Sequence, residues 1–551
     1  MNETNSRKGQ EAAMTSEQRN QVGRRTFLRR GAVVTAAAGA GTVVGGTLMA
    51  NAVSGAGAPV VGQAAPPLSD AVNYLTLQSV RLMATDGHIS FPGRRHSITD
   101  PAAAHPVYAV GFRTVDNQLI EASGGELNLN PGKLIEKYKG KVMHTAPTIV
   151  AIEGEEMGIV ITNLGLATRP DLADGHSLHW HGFRNATAVF DGVPETSISV
   201  PFGRDLPYFF DLKTKDEPGQ TKGSAGTYMY HCHFEDTEHV QMGMTGVVFV
   251  EPRDMWFDMA GNNIPRRKVA YNDNPAGIDS SFDREFALLV NEIDTHPHDN
   301  LENIQEFVWS NYKANYWTIN GRSYPDTVVP QITPREVVAD PVTSPYQELL
   351  DMPAVPVSAD EKAEAEMYYQ QNSSLVQCRA GDRVLLRLAS LGYEIHSLEL
   401  SGINDMQIIA HDASLLMGKS GTSDLTYKAR RIELGPGEGR DAIFTAPAYD
   451  NTTAEDDDLG LRAGKTRRFN RYLLKSRNNS RMHNNGGVDA TDGVAYAGAK
   501  STYGGMVTEI WVYPSDTDPE VLGAIPAQHL LPEQISVNET FPTLVVPNGH
   551  V

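Results

Sequence analysis

Cysteine is almost missing from this chain of 551 residues: Cys232 and Cys378 are the only two. That excludes a disulfide framework and a zinc site made of four cysteines. Positive charge is also short, with 47 Lys and Arg against 67 Asp and Glu and a net charge of −20. Phosphate binding needs a basic face, so no nucleic-acid partner is expected; the acidity suits solubility and attraction of cations. Helical periodicity is scarce, and only one stretch approaches the length of a membrane span. What is plentiful is glycine (50) and proline (32), on a background of 40% hydrophobic and 21% charged residues. Such a composition reads as a globular, turn-rich protein, and the length calls for more than one packed unit.

The one long apolar stretch, Gly31 to Ala50, is rich in Ala, Gly and Thr and poor in Leu, which makes a weak permanent span. It follows Arg24-Arg25-Thr26-Phe27-Leu28-Arg29-Arg30 and precedes the small-x-small triplet Ala50-Asn51-Ala52. Residues 1–52 are therefore expected to be a twin-arginine signal peptide. That route carries folded proteins, often with a prosthetic group already inserted. The expected location is periplasmic, cell-surface or extracellular, with no membrane segment in the mature form.

Residues 53–69 read as a flexible linker. From about residue 105 the chain breaks into short alternating strands, for example Thr148–Ile152, Gly158–Thr162, Ile198–Val200, Tyr208–Leu212 and Val247–Val250. The clearest helix candidate is Ala359 to Gln371, an acidic insertion. Asp340 to Leu375 and Glu455 to Arg468 read as surface loops, and 521–551 as a Pro-rich tail. An internal repeat organises the rest: His176-Ser177-Leu178-His179-Trp180-His181-Gly182 aligns with His396-Ser397-Leu398-Glu399-Leu400-Ser401-Gly402. Downstream, Cys232 and His239 stand seven apart, as do Ser476 and His483. The expectation is an all-β protein of two β-sandwich domains, 70–255 with the chemistry and 280–520 without it.

The chemistry sits in two short segments that hold six of the 17 histidines. Residues two apart on a strand face one side, so His179 and His181 can share a centre while His176 faces elsewhere. In His231-Cys232-His233 the thiol likewise points away from the flanking imidazoles. Cys232, His176, His239 and the thioether of Met244 make two imidazoles and a thiolate with a weak axial Met, a blue-copper ligand set. His179, His181, His231 and His233 form two His-x-His pairs suited to additional copper. The Met and the surplus of histidines argue against tetrahedral zinc.

HSLHWHG and GTYMYHCHFEDTEHVQMGM resemble the paired copper signatures of multicopper oxidases, the laccase-like cupredoxin enzymes. The resemblance implies two cupredoxin-like Greek-key β-sandwich domains, with type 1 copper on His176, Cys232, His239 and Met244. Met242 is the competing axial residue; the family places that ligand after the glycine, here Gly243. It further implies that His179, His181, His231 and His233 serve a trinuclear cluster reducing dioxygen to water. His231-Cys232-His233 would join the two centres as catalytic residues. A small-molecule or metal-ion electron donor and a homotrimer are expected on the same ground.

The pattern also departs from that family. Its cluster needs eight histidines, and the matching slots of the second domain hold Glu399, Ser401, Lys475 and Arg477. Lysine and arginine are not copper ligands at neutral pH. His296-Pro297-His298 is the one other His-x-His, in an Asp-rich stretch read as a loop. His396 occupies a type 1 position in a domain without a thiol there. Two alternatives to an oxidase therefore stand: a nitrite-reductase-like enzyme with one type 2 copper on His181, His231 and a neighbouring chain's histidine, or an electron-transfer cupredoxin.

Overall fold

The computed structural model describes residues 77–94, 106–114, 131–154, 156–183, 188–216, 222–255, 268–329, 367, 369–456, 468–484 and 502–517. The expected export segment, linker and tail lie outside these, as does most of the expected helix at Ala359–Gln371. Residues 367 and 369–371 are turn and coil. Among the described residues no helix is long and apolar enough to cross a membrane.

Two sheets build the first sandwich. One is ordered β2-β1-β4-β6, from Leu77–Ile89 (β1), Val107–Arg113 (β2), Glu156–Asn163 (β4) and Asp205–Asp211 (β6). The other is ordered β3-β8-β7-β5, from Ile149–Ile152 (β3), His179–His181 (β5), Gly226–His231 (β7) and Thr245–Glu251 (β8). Their inner faces meet in a core that includes Trp180, Tyr230, Phe210 and Cys232. The ring centroids of Trp180 and Phe210 lie 4.4 Å apart with their planes tilted by 39°.

The second sandwich repeats this plan. Arg284–Ile293 (β9), Tyr316–Ile319 (β10), Arg383–Ser390 (β12), Met406–His411 (β14) and Gly439–Thr445 (β16) run in the order β10-β9-β12-β16-β14 within a seven-stranded sheet. Val376–Arg379 (β11), His396–Ser401 (β13), Arg431–Leu434 (β15), Arg468–Ser476 (β17) and Val507–Tyr513 (β18) run in the order β11-β18-β17-β13-β15. The duplication extends to strand direction. β1 pairs parallel with β4 as β9 does with β12, and β3 with β8 as β11 does with β18. The repeat read from two heptapeptides is thus a repeat of whole sandwiches.

Three differences from the sequence expectations have local causes. The 13-residue β1 escapes pattern reading because it is buried through Arg81 and Asp86, which break any apolar run. Arg81 is paired with Asp205 at 3.2 Å, and Asp86 accepts from Tyr108 at 3.1 Å. Ile198–Val200 is not a strand; only Val200 bridges, to His176. Three short helices, Pro131–Tyr138 (α1), Asp236–Met242 (α2) and Thr295–Glu302 (α3), are too brief to show a period. Asn320-Gly321 makes a turn with φ of 53° and 74° at its two residues, the positive values an Asn-Gly pair tolerates.

The two sandwiches pack through Met229, Val247 and Phe249 of the first against Ala287, Leu289 and Ala389 of the second. A charge network is sealed into the same contact. Arg387 pairs with Glu285 at 2.9 Å, both fully buried, and Thr227 donates to Asp441 at 2.6 Å across the junction.

Candidate metal centre

Strand alternation decides where each side chain of β7 goes. Tyr228, Tyr230 and the following Cys232 point into the first core, whereas Met229 lies in the contact with the second sandwich. His231 shares the side of Met229 and leaves the core side to the thiol. Across the antiparallel pair, His179 stands opposite His231 and His181 opposite Met229. One strand pair therefore feeds two sites on its two faces.

On the core side, His176, Cys232 and His239 are all buried and offer ligand atoms within 4.8 Å of one another. Cys232 Sγ is 3.3 Å from His239 Nδ1 and 3.9 Å from His176 Nδ1. The outer nitrogens, Nε2 of both rings, are buried without a hydrogen-bond partner. His176 is held well below the usual histidine range by burial and then by the neighbouring His239. Burial pulls His239 the same way, but Cys232 and Asp174 outweigh it and raise it to about 10.

The loop to Met244 is set by Gly243, which ends α2 at φ 116°. A Cβ there would come within 2.0 Å of the His144 ring, so only glycine fits. Met244 donates its amide to the His239 carbonyl at 3.0 Å and accepts from the Cys232 amide at 3.1 Å. Its backbone thus bridges two of the other three candidate ligands, Cys232 and His239. Met242 and Met244 are both buried in the first core.

On the opposite face, His179, His181 and His231 offer nitrogens within 4.8 Å of one another. His233 joins them with its ring 5.0 Å from that of His179 and 5.3 Å from that of His231. Two of the three closer rings have Nδ1 turned to a backbone carbonyl: His179 reaches Asp191 at 2.7 Å and His231 reaches Cys232 at 2.8 Å, while His181 is bonded to the backbone of Gly437 in the second sandwich. A carbonyl accepts, so Nδ1 of His179 and of His231 carries the proton and Nε2 of each presents a lone pair. His181 Nε2 and His231 Nε2 converge to 3.1 Å. Carbonyl-fixed imidazoles with converging Nε2 atoms are an arrangement that suits copper. The residues present fit a copper site. Burial, followed by His181 and the other neighbouring imidazoles, pushes His231 down to about 3 although its bond to the Cys232 carbonyl opposes this. His181 is lowered by burial and then by His179.

The second sandwich shows what the same register holds without histidines. Glu399 stands opposite Lys475, and Arg477 donates to Glu399 at 2.7 Å, so an ion-pair cluster occupies the aligned place. His396 is buried and bonded to Glu292 at 2.6 Å within its own chain. His296 and His298 are not a ligand pair. They lie in α3 rather than a loop; His296 turns to Asp294 at 2.6 Å and His298 inward to the Tyr108 carbonyl at 2.5 Å. Cys378 is buried in the second core, as expected of a packing residue.

Asp191, Gly437, Asp174 and Gln241, all close to the candidate ligands or the segment that bears them, carried no signal in the sequence. Two of them act through backbone carbonyls, which have no residue signature.

Fold and site together define an all-β protein of two sandwiches with a cysteine–histidine pocket backed by a four-histidine site. Residues 138–255 match the family model of the multicopper oxidases. It is 32% identical over 104 residues to Laccase-1 of Cryptococcus neoformans var. neoformans, covering 18% of this chain and 14% of that one. Against Laccase-4 of Thanatephorus cucumeris it is 28% identical over 107 residues, 19% of this chain and 18% of the relative. The aligned part thus spans under a fifth of these relatives' length. Among solved structures, the blue copper oxidase of Nitrosomonas europaea matches with a TM-score of 0.45 and 18% identity, over 86% of this chain and 93% of the other. The copper nitrite reductase of Nitrosomonas europaea matches with a TM-score of 0.39 and 15% identity, over 81% and 96%.

Proposed function

We propose that the protein is a copper-dependent oxidase. Cys232, His176, His239 and Met244 would hold a type 1 copper that would accept single electrons from a phenolic or metal-ion donor. His179, His181, His231 and His233 would hold further copper, whose chemistry would be the reduction of dioxygen to water. When bound, copper would supply the one-electron chemistry; the chain fixes the ligands around it. The observation that carries this reading is the convergence of His179, His181 and His231 on one face, with His231 directly preceding the Cys232 of the other site. His231-Cys232-His233 then spans the two sites covalently. Export by the twin-arginine route, a periplasmic or extracellular location and a homotrimer belong to the same proposal.

The outer edge of His239 favours a small cationic donor. Its Nε2 is sealed from solvent and has no hydrogen-bond partner, with Asp174 Oδ2 at 3.9 Å. Glu235 and Glu238 place carboxylate oxygens within 4.8 Å of a His239 nitrogen and of each other. A bulky ring does not reach a sealed nitrogen, whereas an ion held by carboxylates at the rim does not need to.

A second reading rests on one observation. Only three imidazoles of the four-histidine site converge within 4.8 Å, and three histidines suit a single type 2 copper, as in a nitrite-reducing enzyme. Copper content, EPR and oxygen uptake measured on one copper-loaded sample separate the readings. About four coppers per chain with oxygen consumption establishes the oxidase. Two coppers with nitrite turnover establishes the second reading, and a single blue copper without turnover leaves an electron-transfer protein.

A further inference from the structure

The segment that carries His239 is poorly equipped to hold itself in place. α2 has seven residues, well below the length at which an isolated helix persists in water. Its N-cap residue, Glu235, is in a left-handed conformation and makes no side-chain cap bond. The second sandwich grips this helix on either side of His239.

Two residues after His239, buried Gln241 acts as a backbone clip. Its Nε2 donates to the Glu292 carbonyl at 2.9 Å, and its Oε1 accepts from the Asp294 amide at 2.7 Å. Two residues before His239, the Thr237 carbonyl accepts from the Tyr393 hydroxyl. Tyr393 is itself fixed by Glu292, whose Oε1 accepts the amides of Tyr393 and, at 3.0 Å, Glu394. The other oxygen of Glu292 is bonded to His396 Nε2 at 2.6 Å. Arg481 lies 3.1 Å from His396 Nδ1, and arginine only donates, so Nδ1 accepts and Nε2 carries the proton. His396 thus donates to Glu292 with its geometry fixed from both sides.

We infer that the second sandwich, through Gln241, Tyr393 and the buried Glu292–His396 pair, is the positioning device for His239 and hence for the type 1 copper. The histidine aligned with a copper ligand serves as an anchor for the neighbouring domain's ligand helix. These are positioning residues, because none of them is a copper ligand in the proposed set. The inference rests on the copper assignment above, and the experiment reports on the two separately.

Three variants test it: Gln241→Met, Tyr393→Phe and His396→Gln. Each is compared with Ile408→Val, a change in the second core that alters packing away from α2. Outer-shell partners typically govern metal affinity by 10–100-fold, so type 1 copper affinity is expected to fall about tenfold in the first two variants. The copper–thiolate band and the EPR hyperfine splitting shift in all three, whereas Ile408→Val lowers melting temperature alone. Hydrogen exchange on metal-free protein is the second measurement. Amides 236–244 lose protection in Tyr393→Phe, which removes a single hydroxyl. Unchanged exchange there, or folded variants with unchanged affinity and spectra, overturns the inference. A wild-type protein without any copper–thiolate band refutes the copper assignment instead, and the exchange experiment still decides the clasp.

Discussion

Glu399 faces Lys475 across β13 and β17 at the register where His179 faces His231 across β5 and β7. The duplicated frame therefore holds an ion pair where the first sandwich holds imidazoles. Location sets the worth of such a pair. Arg477, which completes the cluster, is half exposed, and exposed pairs contribute about 0–1 kcal/mol. Glu399→Gln should accordingly change stability by less than about 1 kcal/mol and leave copper content alone. Glu285→Gln removes one partner of the fully buried Arg387 and should cost about 3–5 kcal/mol. Denaturant melts of the two variants check this; equal effects would show that the junction network is not insulated from water.

The two faces of the β5–β7 pair should lose their metal independently. Cys232→Ser keeps nearly the same volume in the first core and removes the thiolate. The intense blue band should vanish while copper at the four-histidine site persists. His179→Ala should do the reverse, since its ring lies on the other face. Absorbance and EPR on both variants decide it, and a His179→Ala protein that bleaches would refute the division of ligands.

Gly437 reaches across from the second sandwich to His181. Its φ is +76°, and a Cβ would stand 3.0 Å from Cε1 and 3.1 Å from Nδ1 of that ring. Gly437→Ala should cost about 1–2 kcal/mol in backbone strain and push the imidazole off its carbonyl. Copper at the four-histidine site should fall with the blue band intact, as metal analysis would show. A full complement of copper would mean that His181 is placed by its own strand alone.

The first sandwich was legible to a great extent because strand period and ligand chemistry point the same way there. Parity alone separated Cys232 from His231 and His233, and the structure puts them on opposite faces. The duplication was legible from His176–Gly182 against His396–Gly402. Three things were not. β1 hides behind Arg81 and Asp86, whose partners are far away in sequence. α2 is seven residues long, too short to show a helical period. The carbonyls of Asp191 and Gly437 that orient His179 and His181 are backbone atoms, and any residue could have supplied them.

Acid should destabilise the metal-free protein earlier than its carboxylates alone would. Burial, with His298 nearby, pushes His144 down to about 3, and His231 is likewise at about 3. Unfolding frees both to the ordinary value near 6.5. Between those values the unfolded chain binds more protons, so stability falls with falling pH by up to about 1.4 kcal/mol per pH unit for each group. His239 is shifted the other way, to about 10, and its contribution is already complete and flat below pH 6.5. Melting temperature of the apoprotein should therefore drop from pH 6.5 to 4.5, and less steeply in His144→Asn. A flat profile over that window would contradict the burial of these rings as neutral groups.

The donor assignment makes the most selective prediction. Glu235 and Asp236 are exposed and Glu238 half-buried, all at the end of α2 from which His239 is approached. If they gather a cation at the sealed edge of His239, their charge acts on local donor concentration and on nothing in the copper sites. The triple variant Glu235→Gln, Asp236→Asn, Glu238→Gln should keep its blue band. It should lose about tenfold or more in kcat/KM for a divalent metal-ion donor, the scale of electrostatic focusing by a charged rim. Turnover of a neutral phenol should hardly change, and raising the salt should erase much of the difference between wild type and variant for the metal ion. Equal losses for both donors would point to a displaced His239, and no loss for either would make the three carboxylates a solvated helix end.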